Sequence, residues 1–199
     1  MEKIILASGS PRRQEYFRLM GLPFEVISSP VDESLDKSVE ENTGALQAAE
    51  SLALRKLNKV RELYSDRQMP WIVSADTLIS MNRRIYGKPK DRDHARNMLM
   101  NFQGQSHEVI SAVALFNGRK NTVSRCSAVS TVCFAPLSEP EIEWYLDTGE
   151  WEGVAGSYRI QGLAACFIRE IRGSYSSVVG LPLHEFYVML RDNGYPFGG

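Results

Sequence analysis

The stretch that decides the fold lies near the start of the chain and reads Leu6-Ala7-Ser8-Gly9-Ser10-Pro11-Arg12-Arg13. The apolar run Ile4-Ile5-Leu6 that leads into it is typical of a short buried strand. Gly9 suits a tight turn, Ser10 suits the cap of a helix, and Pro11 suits the first helical position. We therefore predict a strand, a small-residue turn and a helix, whose first backbone amides would attract an anion.

Two arginines, Arg12 and Arg13, stand in the first turn of this predicted helix. Positive charge at that end opposes the helix dipole by roughly 0.3–1 kcal/mol when it is exposed. The pair makes best physical sense when a strong anion, such as phosphate, lies between the arginines and the turn. An ordinary capped helix with two solvated arginines explains the same residues, because the stretch is neither a Walker A loop nor a dinucleotide-binding fingerprint.

The composition is that of an ordinary globular protein. The chain has 199 residues, 43% of them hydrophobic and 24% charged, and we expect a single domain of two lobes over residues 1–199. Its formal net charge of −1 predicts neither nucleic acid nor a membrane as a partner. The three cysteines lack metal or redox spacing, no apolar run approaches the roughly 20 residues of a membrane span, and no signal peptide is recognised. These features predict a cytoplasmic protein.

The first half of the chain brings three charged residues to positions of interest. A long helix is predicted over residues 41–63, and Lys56 falls on its apolar stripe, where a lysine either covers the edge of the core or points into a cleft. A buried strand over residues 71–75 ends at Asp76, before a second extended segment, and the carboxyl end of a strand is where open α/β sheets commonly place chemistry. Lys88 stands between a glycine and a proline, on a rigid loop that would preorganise a phosphate-binding cation.

The second half of the chain predicts a hairpin, a helix and a further strand. Residues 107–116 alternate before they become apolar, and the β-branched segment 122–134 is their expected partner strand. Ser138 and Glu141 form a capping box that opens a helix. The last strand is predicted over residues 163–171.

A glycine-rich loop over residues 155–162 precedes that last strand and carries Gln161. A glutamine amide has a donor and an acceptor with which it can read the edge of a base, although a loop glutamine more often faces water. The histidines have no ligand spacing, and we interpret all three as structural or solvated: His94, His107 and His184.

Strands alternate with helices early and form hairpins later, which predicts an α/β fold with a mixed sheet and two lobes around a cleft. Four cations suited to a polyphosphate belong in that cleft: Arg12, Arg13, Lys56 and Lys88. Two carboxylates, Glu33 and Asp76, suit a hard metal such as Mg²⁺, which bridges phosphate oxygens. This combination predicts metal-assisted phosphoryl or nucleotidyl chemistry.

A set of short motifs along the chain matches a known family. In order they are Leu6-Ala7-Ser8-Gly9-Ser10-Pro11-Arg12-Arg13, Val31-Asp32-Glu33, Leu52-Ala53 through Lys56, Ala75-Asp76-Thr77, Gly87-Lys88-Pro89, Gly104 through His107-Glu108-Val109, Ile160-Gln161-Gly162 and Val179-Gly180-Leu181-Pro182. Any one of these motifs is weak, but the whole set in this order is specific. The chain resembles the Maf family of nucleoside triphosphate pyrophosphatases over essentially its whole length.

The resemblance implies hydrolysis of a nucleoside triphosphate to a monophosphate and pyrophosphate with a divalent metal, Mg²⁺ with Mn²⁺ or Co²⁺ as substitutes. It also implies an elongated sheet with a deep cleft, similar to that of the inosine triphosphate pyrophosphatases, and a homodimer. The family's essential positions fall on Ser8, Arg13, Glu33, Lys56, Asp76, Lys88 and Gln161. We expect Glu33 and Asp76 to hold the metal, and either Asp76 or the metal to activate water.

Three substrate-binding positions, Arg12, Thr77 and Gln161, resemble the branch of the family that prefers dTTP and UTP. Two residues depart from the family pattern, because Ser74 and Arg159 stand where glycine is frequent, and Arg159 bears on the base preference. Two alternatives stay open at this point. One is a non-catalytic, nucleotide-binding regulator of cell division, and the other is a pyrophosphatase for 7-methyl-GTP or other modified purine triphosphates.

Overall fold

The computed structural model describes residues 1–31, 44–64 and 70–198. Within them, helices flank a mixed sheet of seven strands, so the predicted α/β class is confirmed. The strands are β1 (Ile4–Leu6), β2 (Phe24–Val26), β3 (Trp71–Met81), β4 (Arg84–Tyr86), β5 (Ser106–Asn117), β6 (Thr122–Phe134) and β7 (Ile168–Arg172). The α-helices are α1 (Pro11–Leu19), α2 (Ala45–Arg61), α3 (Arg92–Phe102), α4 (Glu139–Asp147), α5 (Tyr175–Val179) and α6 (Leu183–Asp192).

The sheet runs in the order β2-β1-β3-β5-β6-β7, with β4 paired to β3. Strand β1 is parallel to both neighbours, whereas the pairs β3–β5, β5–β6 and β6–β7 are each antiparallel. Strand β1 pairs with β3 only as far as Val73, and β4 pairs with β3 only from Ile79 onward. Since β5 follows the opposite edge of β3 from Ile72 to Ser80, the short edge between β1 and β4 faces the site described below.

The position of Asp76 corrects one expectation from the sequence. Asp76 does not end a strand, because β3 continues without a break from Trp71 to Met81. Its pairing with β5 holds the strand extended through Asp76 and beyond. Asp76 nevertheless lies past the carboxyl end of β1, in the gap before β4, so the strand end that exposes it belongs to the neighbouring strand.

Alternation along β1 divides the core between the two faces of the sheet. Ile4 and Leu6 pack with Phe17 of α1 and Phe186 of α6, whose rings are 5.4 Å apart. Ile5 points the other way, into the cluster formed by α2. A third cluster gathers α3, α4 and α5 around the far end of the sheet. These packing relations follow from the period of two along a strand.

Most remaining element predictions hold, with three differences. The strand predicted over residues 163–171 begins as a 3₁₀ helix, Leu163–Phe167, and extends only from Ile168. Ser10 occupies the N-cap position of α1, but its side chain makes no capping hydrogen bond. The long helix begins at Ala45, and residues 41–43 of the predicted helix lie outside the described residues. Among the described residues, no helix combines the length and apolarity that a membrane crossing requires.

Candidate functional site

One cavity of about 850 Å³ brings together most of the side chains singled out in the sequence. Its lining is contributed by the β1–α1 turn, β3, α2, the loop after β4, the loop after α4 and the end of α5. The predicted site residues found on its wall are Ser8, Arg12, Arg13, Lys56, Asp76, Thr77, Lys88 and Gln161. Glu33 lies outside the described residues.

Arg13 is buried and joins three parts of the cavity wall. Its Nε donates to the backbone oxygen of Gly180 at 2.9 Å, its Nη1 to Ser8 Oγ at 3.0 Å, and its Nη2 to Thr77 Oγ1 at 3.2 Å. These contacts exclude the solvated-arginine interpretation for Arg13. They fix a planar guanidinium in one orientation beside the first turn of α1, which is the arrangement that favours a bound anion.

The Thr77 hydroxyl continues this network into the sheet. Thr77 Oγ1 lies 2.7 Å from Ser111 Oγ, and Ser111 Oγ in turn donates to the backbone oxygen of Ser177 at 2.7 Å. Ser111 was not singled out in the sequence, although a serine within an apolar strand is a signal for such a buried contact. The network ties β3 and β5 to α5, so the cavity wall near Arg13 is preorganised.

Lys56 and Asp76 form a buried ion pair in the same wall. Lys56 Nζ lies 2.6 Å from Asp76 Oδ1, and the side chains are only 6% and 8% exposed. Ser74 Oγ donates to the backbone oxygen of Ala53 at 2.6 Å, which fastens α2 to β3 one turn before Lys56. Of the two interpretations open for Lys56, the structure therefore supports the one in which its ammonium points into the cleft. Ser74, a departure from the family pattern, serves as that fastening.

Two more arginines, Arg12 and Arg159, line the cavity close enough for their charges to interact. Burial lowers the pKa of Arg12, and the positive charge of Arg159 lowers it further, while Glu15 acts in the opposite direction. Among the described residues, five cationic side chains line the cavity against three acidic ones: Arg12, Arg13, Lys56, Lys88 and Arg159 against Glu15, Asp76 and Glu150. A polyanion bound there would relieve the repulsion between the arginines.

Glu150 is a cavity residue that the sequence did not indicate. Its Oε2 accepts a hydrogen bond from the backbone N–H of Leu163 at 2.9 Å, so it contacts the loop that carries Gln161. The sequence does not indicate this contact, because thirteen positions separate the two partners and the segment after Gln161 is predicted as a strand. The one feature of the sequence that agrees with this contact is Gly162, because a glycine leaves room for the Glu150 carboxylate to approach the backbone.

The described residues contain no group of three or more His, Cys, Asp or Glu side chains arranged to hold a metal ion. Mg²⁺ is commonly bound by one or two carboxylates together with phosphate oxygens and water, so it does not need such a group. The Asp76 carboxylate, held at Oδ1 by Lys56 in the wall of a cationic cavity, fits this donor set. The site therefore suits a metal that arrives with a phosphate-bearing substrate.

The chain is similar to proteins of known name along nearly its whole length. It is 44% identical over 196 residues to a dTTP/UTP pyrophosphatase of Symbiobacterium thermophilum, covering 98% of this chain and 96% of that protein. It is 44% identical over 191 residues to a dTTP/UTP pyrophosphatase of Desulforamulus reducens, covering 96% of each. A dTTP/UTP pyrophosphatase of Hydrogenovibrio crunogenus is 38% identical over 193 residues, with 97% of each covered.

Solved structures give weaker matches. The Staphylococcus aureus Ham1 protein has a TM-score of 0.44 and 15% identity, over 67% of this chain and 72% of that one. A dITP/XTP pyrophosphatase from Mycobacterium abscessus has a TM-score of 0.44 and 14% identity, over 95% of this chain and 94% of that one. The family described as Maf-like protein matches residues 3–193. The chain therefore belongs to the Maf-like protein family.

Proposed function

We propose that this chain is a nucleoside triphosphate pyrophosphatase that hydrolyses dTTP and UTP, or modified pyrimidine triphosphates, to the monophosphate and pyrophosphate. The observation that carries the proposal is the buried Lys56–Asp76 pair in a cavity whose wall is rich in arginine and lysine. A buried ion pair adds little to stability, so its place in a cationic cleft favours a functional role. The names of the curated relatives support the same reaction.

In this proposal the triphosphate lies over the turn between β1 and α1. Arg12, Arg13 and the first amides of α1 face that position from one side, and Lys88 faces it from the loop after β4. Negative charge grows on the departing pyrophosphate as the bond to the α-phosphorus breaks. Preorganised cations at that point stabilise the transition state more than they stabilise the bound substrate.

Asp76 and Glu33 are the proposed metal ligands, with Mg²⁺ as the metal and Mn²⁺ or Co²⁺ as substitutes. A divalent ion held by these carboxylates would neutralise part of the charge of the phosphates. Lys56 fixes Asp76 through Oδ1, so we propose that Asp76 Oδ2 serves as a metal ligand or takes the proton of the attacking water. Both roles need an oriented carboxylate on the cavity wall.

We propose that Gln161, rather than Thr77, contacts the base and selects it. Gln161 is exposed on the cavity wall, where its amide can both donate to and accept from a pyrimidine edge. The Thr77 hydroxyl is already bonded to Arg13 and Ser111, which favours a supporting role for that residue. Arg12 and Arg159 also line the cavity and add positive charge to it.

We also propose a cytoplasmic homodimer that takes a nucleoside triphosphate as its small-molecule partner. Sedimentation velocity at micromolar concentration tests the homodimer directly. A single species near 22.4 kDa, the mass of one chain, would contradict it.

The reaction is tested by a panel of triphosphates with Mg²⁺ and with Mn²⁺, in which pyrophosphate release is measured. We expect turnover of dTTP and UTP and little turnover of the others. A clear preference for 7-methyl-GTP or ITP would favour the modified-purine alternative. Nucleotide binding without turnover of any substrate would favour the non-catalytic regulator and would overturn the proposal.

A further inference from the structure

The part of the loop that carries Gln161, residues 159–163, is fastened at both ends by side chains from the neighbouring residues 145–150. At its start, the backbone N–H of Arg159 donates to the hydroxyl of Tyr145, a fully buried residue of α4, at 3.3 Å. At its end, the backbone N–H of Leu163 donates to Glu150 Oε2 at 2.9 Å. Gln161 lies midway between the two fastened amides.

Gly162 shows how closely Glu150 is fitted to this loop. A Cβ atom added to Gly162 would lie 2.2 Å from Glu150 Oε2 and 2.8 Å from its Cδ. The backbone of Gly162 has a φ of −112°, which other residues also adopt, so conformational freedom does not explain the glycine. Its missing side chain instead provides the space that the Glu150 carboxylate occupies.

We infer that Glu150 is a positioning residue that sets base selectivity through Gln161. The inference rests on the proposed function, because it assigns Gln161 to the base. The carboxylate contacts the loop through a charge-assisted hydrogen bond, and it fixes the backbone two residues after the glutamine. A loop held in this way presents one orientation of the Gln161 amide, and orientation decides which base edge the amide matches.

Glu150 also lines the cavity, so a direct role as metal ligand or general base must be separated from positioning. The variant Glu150→Gln makes that separation, since an amide oxygen still accepts the hydrogen bond from Leu163 but carries no charge. A positioning role predicts that Glu150→Gln retains most of the activity that Glu150→Ala loses. Equal loss in both variants would assign Glu150 to the chemistry and overturn the inference.

The experiment measures kcat and KM of pyrophosphate release from dTTP and from dCTP. For Glu150→Ala we expect a rise of about tenfold in KM for dTTP and a similar fall in the preference for dTTP over dCTP, the size expected for one lost charge-assisted hydrogen bond. The kcat for dTTP should stay within about threefold of the wild type, because the groups that contact the phosphates are unchanged. Glu152→Ala is the matched control. Glu152 is exposed and lies two positions after Glu150, so this variant removes the same charge from a different place.

Two further variants test whether the effect passes through the loop. Gly162→Ala should reproduce the loss of preference, because its Cβ displaces the carboxylate. Glu150→Ala should add nothing to Gln161→Ala, since a residue that acts only through Gln161 has no effect once that side chain is gone. Additive losses would overturn the inference, as would an unchanged base preference in Glu150→Ala. If the wild type releases no pyrophosphate from any triphosphate, the proposed function itself fails, and that result is distinct from all of these.

Discussion

Arg13 owes its importance to geometry rather than to charge alone. Its three hydrogen bonds to Ser8, Thr77 and Gly180 use the planar fork of a guanidinium, which a lysine cannot reproduce. We expect Arg13→Lys to lower kcat/KM for dTTP by about 10²–10³, the usual effect of removing one preorganised donor. Arg18→Lys on the exposed face of the same helix is the control and should leave the rate unchanged. A rate in Arg13→Lys within threefold of that control would show that the orientation of the cation does not matter.

The Lys56–Asp76 pair links stability to activity. A role for Asp76 as metal ligand or proton acceptor predicts that Asp76→Asn abolishes turnover. The same variant should also lower stability, because it removes the negative charge that lies 2.6 Å from the buried Lys56 ammonium. Removing one member of such a pair typically destabilises a protein by about 3–5 kcal/mol. Urea unfolding should show a loss of that order together with the loss of activity.

A double variant separates the two effects. In Lys56→Met with Asp76→Leu, neither position carries a charge, so the free energy of unfolding should recover much of what Asp76→Asn loses. The double variant should still release no pyrophosphate. Recovery of activity along with stability would show that the pair is structural only.

At the scale of the element, the sequence predicted what depends on local pattern. The period of the apolar stripe placed Lys56 correctly on the inner side of α2, and the opening motif placed Arg13 in the first turn of α1. It did not predict contacts between distant segments, such as Arg13 with Gly180, 167 positions later. It also missed the 3₁₀ helix Leu163–Phe167, because the apolar run alone cannot reveal that a distant Glu150 binds its first amide.

The glycine-rich segment after α4 contains a matched pair for testing packing. Gly156 and Gly153 have nearly the same φ, +68° and +66°, so an alanine is equally strained in the backbone at both. At Gly156 a Cβ would also lie 2.5 Å from Ile79 Cδ1, whereas at Gly153 it meets nothing within 4 Å. Gly156→Ala should therefore lower the free energy of unfolding by about 1–3 kcal/mol more than Gly153→Ala, as measured in urea. Equal losses of stability in the two variants would mean that the side chains beside Gly156 move aside without a cost in free energy.

His107, at the start of β5, should make stability depend on pH. Burial lowers its pKa to about 4, from an ordinary value of 6.5, and its Nε2 lies 2.8 Å from the Tyr158 hydroxyl. The unfolded chain therefore binds a proton as the pH falls below about 6.5, while the folded chain does not until about pH 4. The contribution of His107 to the free energy of unfolding is therefore complete above pH 6.5, and about 3 kcal/mol of it should be lost as the pH falls from 6.5 to 4.

The variant His107→Gln is the test, since it keeps a polar partner for Tyr158 and cannot titrate. Urea unfolding between pH 4 and 7 should show a smaller slope for this variant than for the wild type. Identical slopes would mean that other groups carry the pH dependence and that His107 does not contribute.

For the whole molecule, the sheet explains why one cavity gathers residues from so many segments. The gap beside β3 between β1 and β4 opens the sheet at Asp76, and α2 brings Lys56 to it from one face. The loop after α4 reaches the same cavity with Gln161. The order of the motifs along the chain indicated which residues matter, but only the strand order shows why they meet, because strand pairing between distant segments leaves little local signal.

The central claim is that a triphosphate lies over the β1–α1 turn, held by cations and by a metal on Asp76. The most direct test is a crystal structure with Mg²⁺ and a dTTP analogue in which a methylene replaces the oxygen between the α- and β-phosphorus atoms. We predict the phosphates within hydrogen-bond distance of Arg12 or Arg13 and of Lys88, the metal on Asp76, and the base against the loop of Gln161. A triphosphate bound outside this cavity, or bound in it with Asp76 turned away from the metal, would contradict the account.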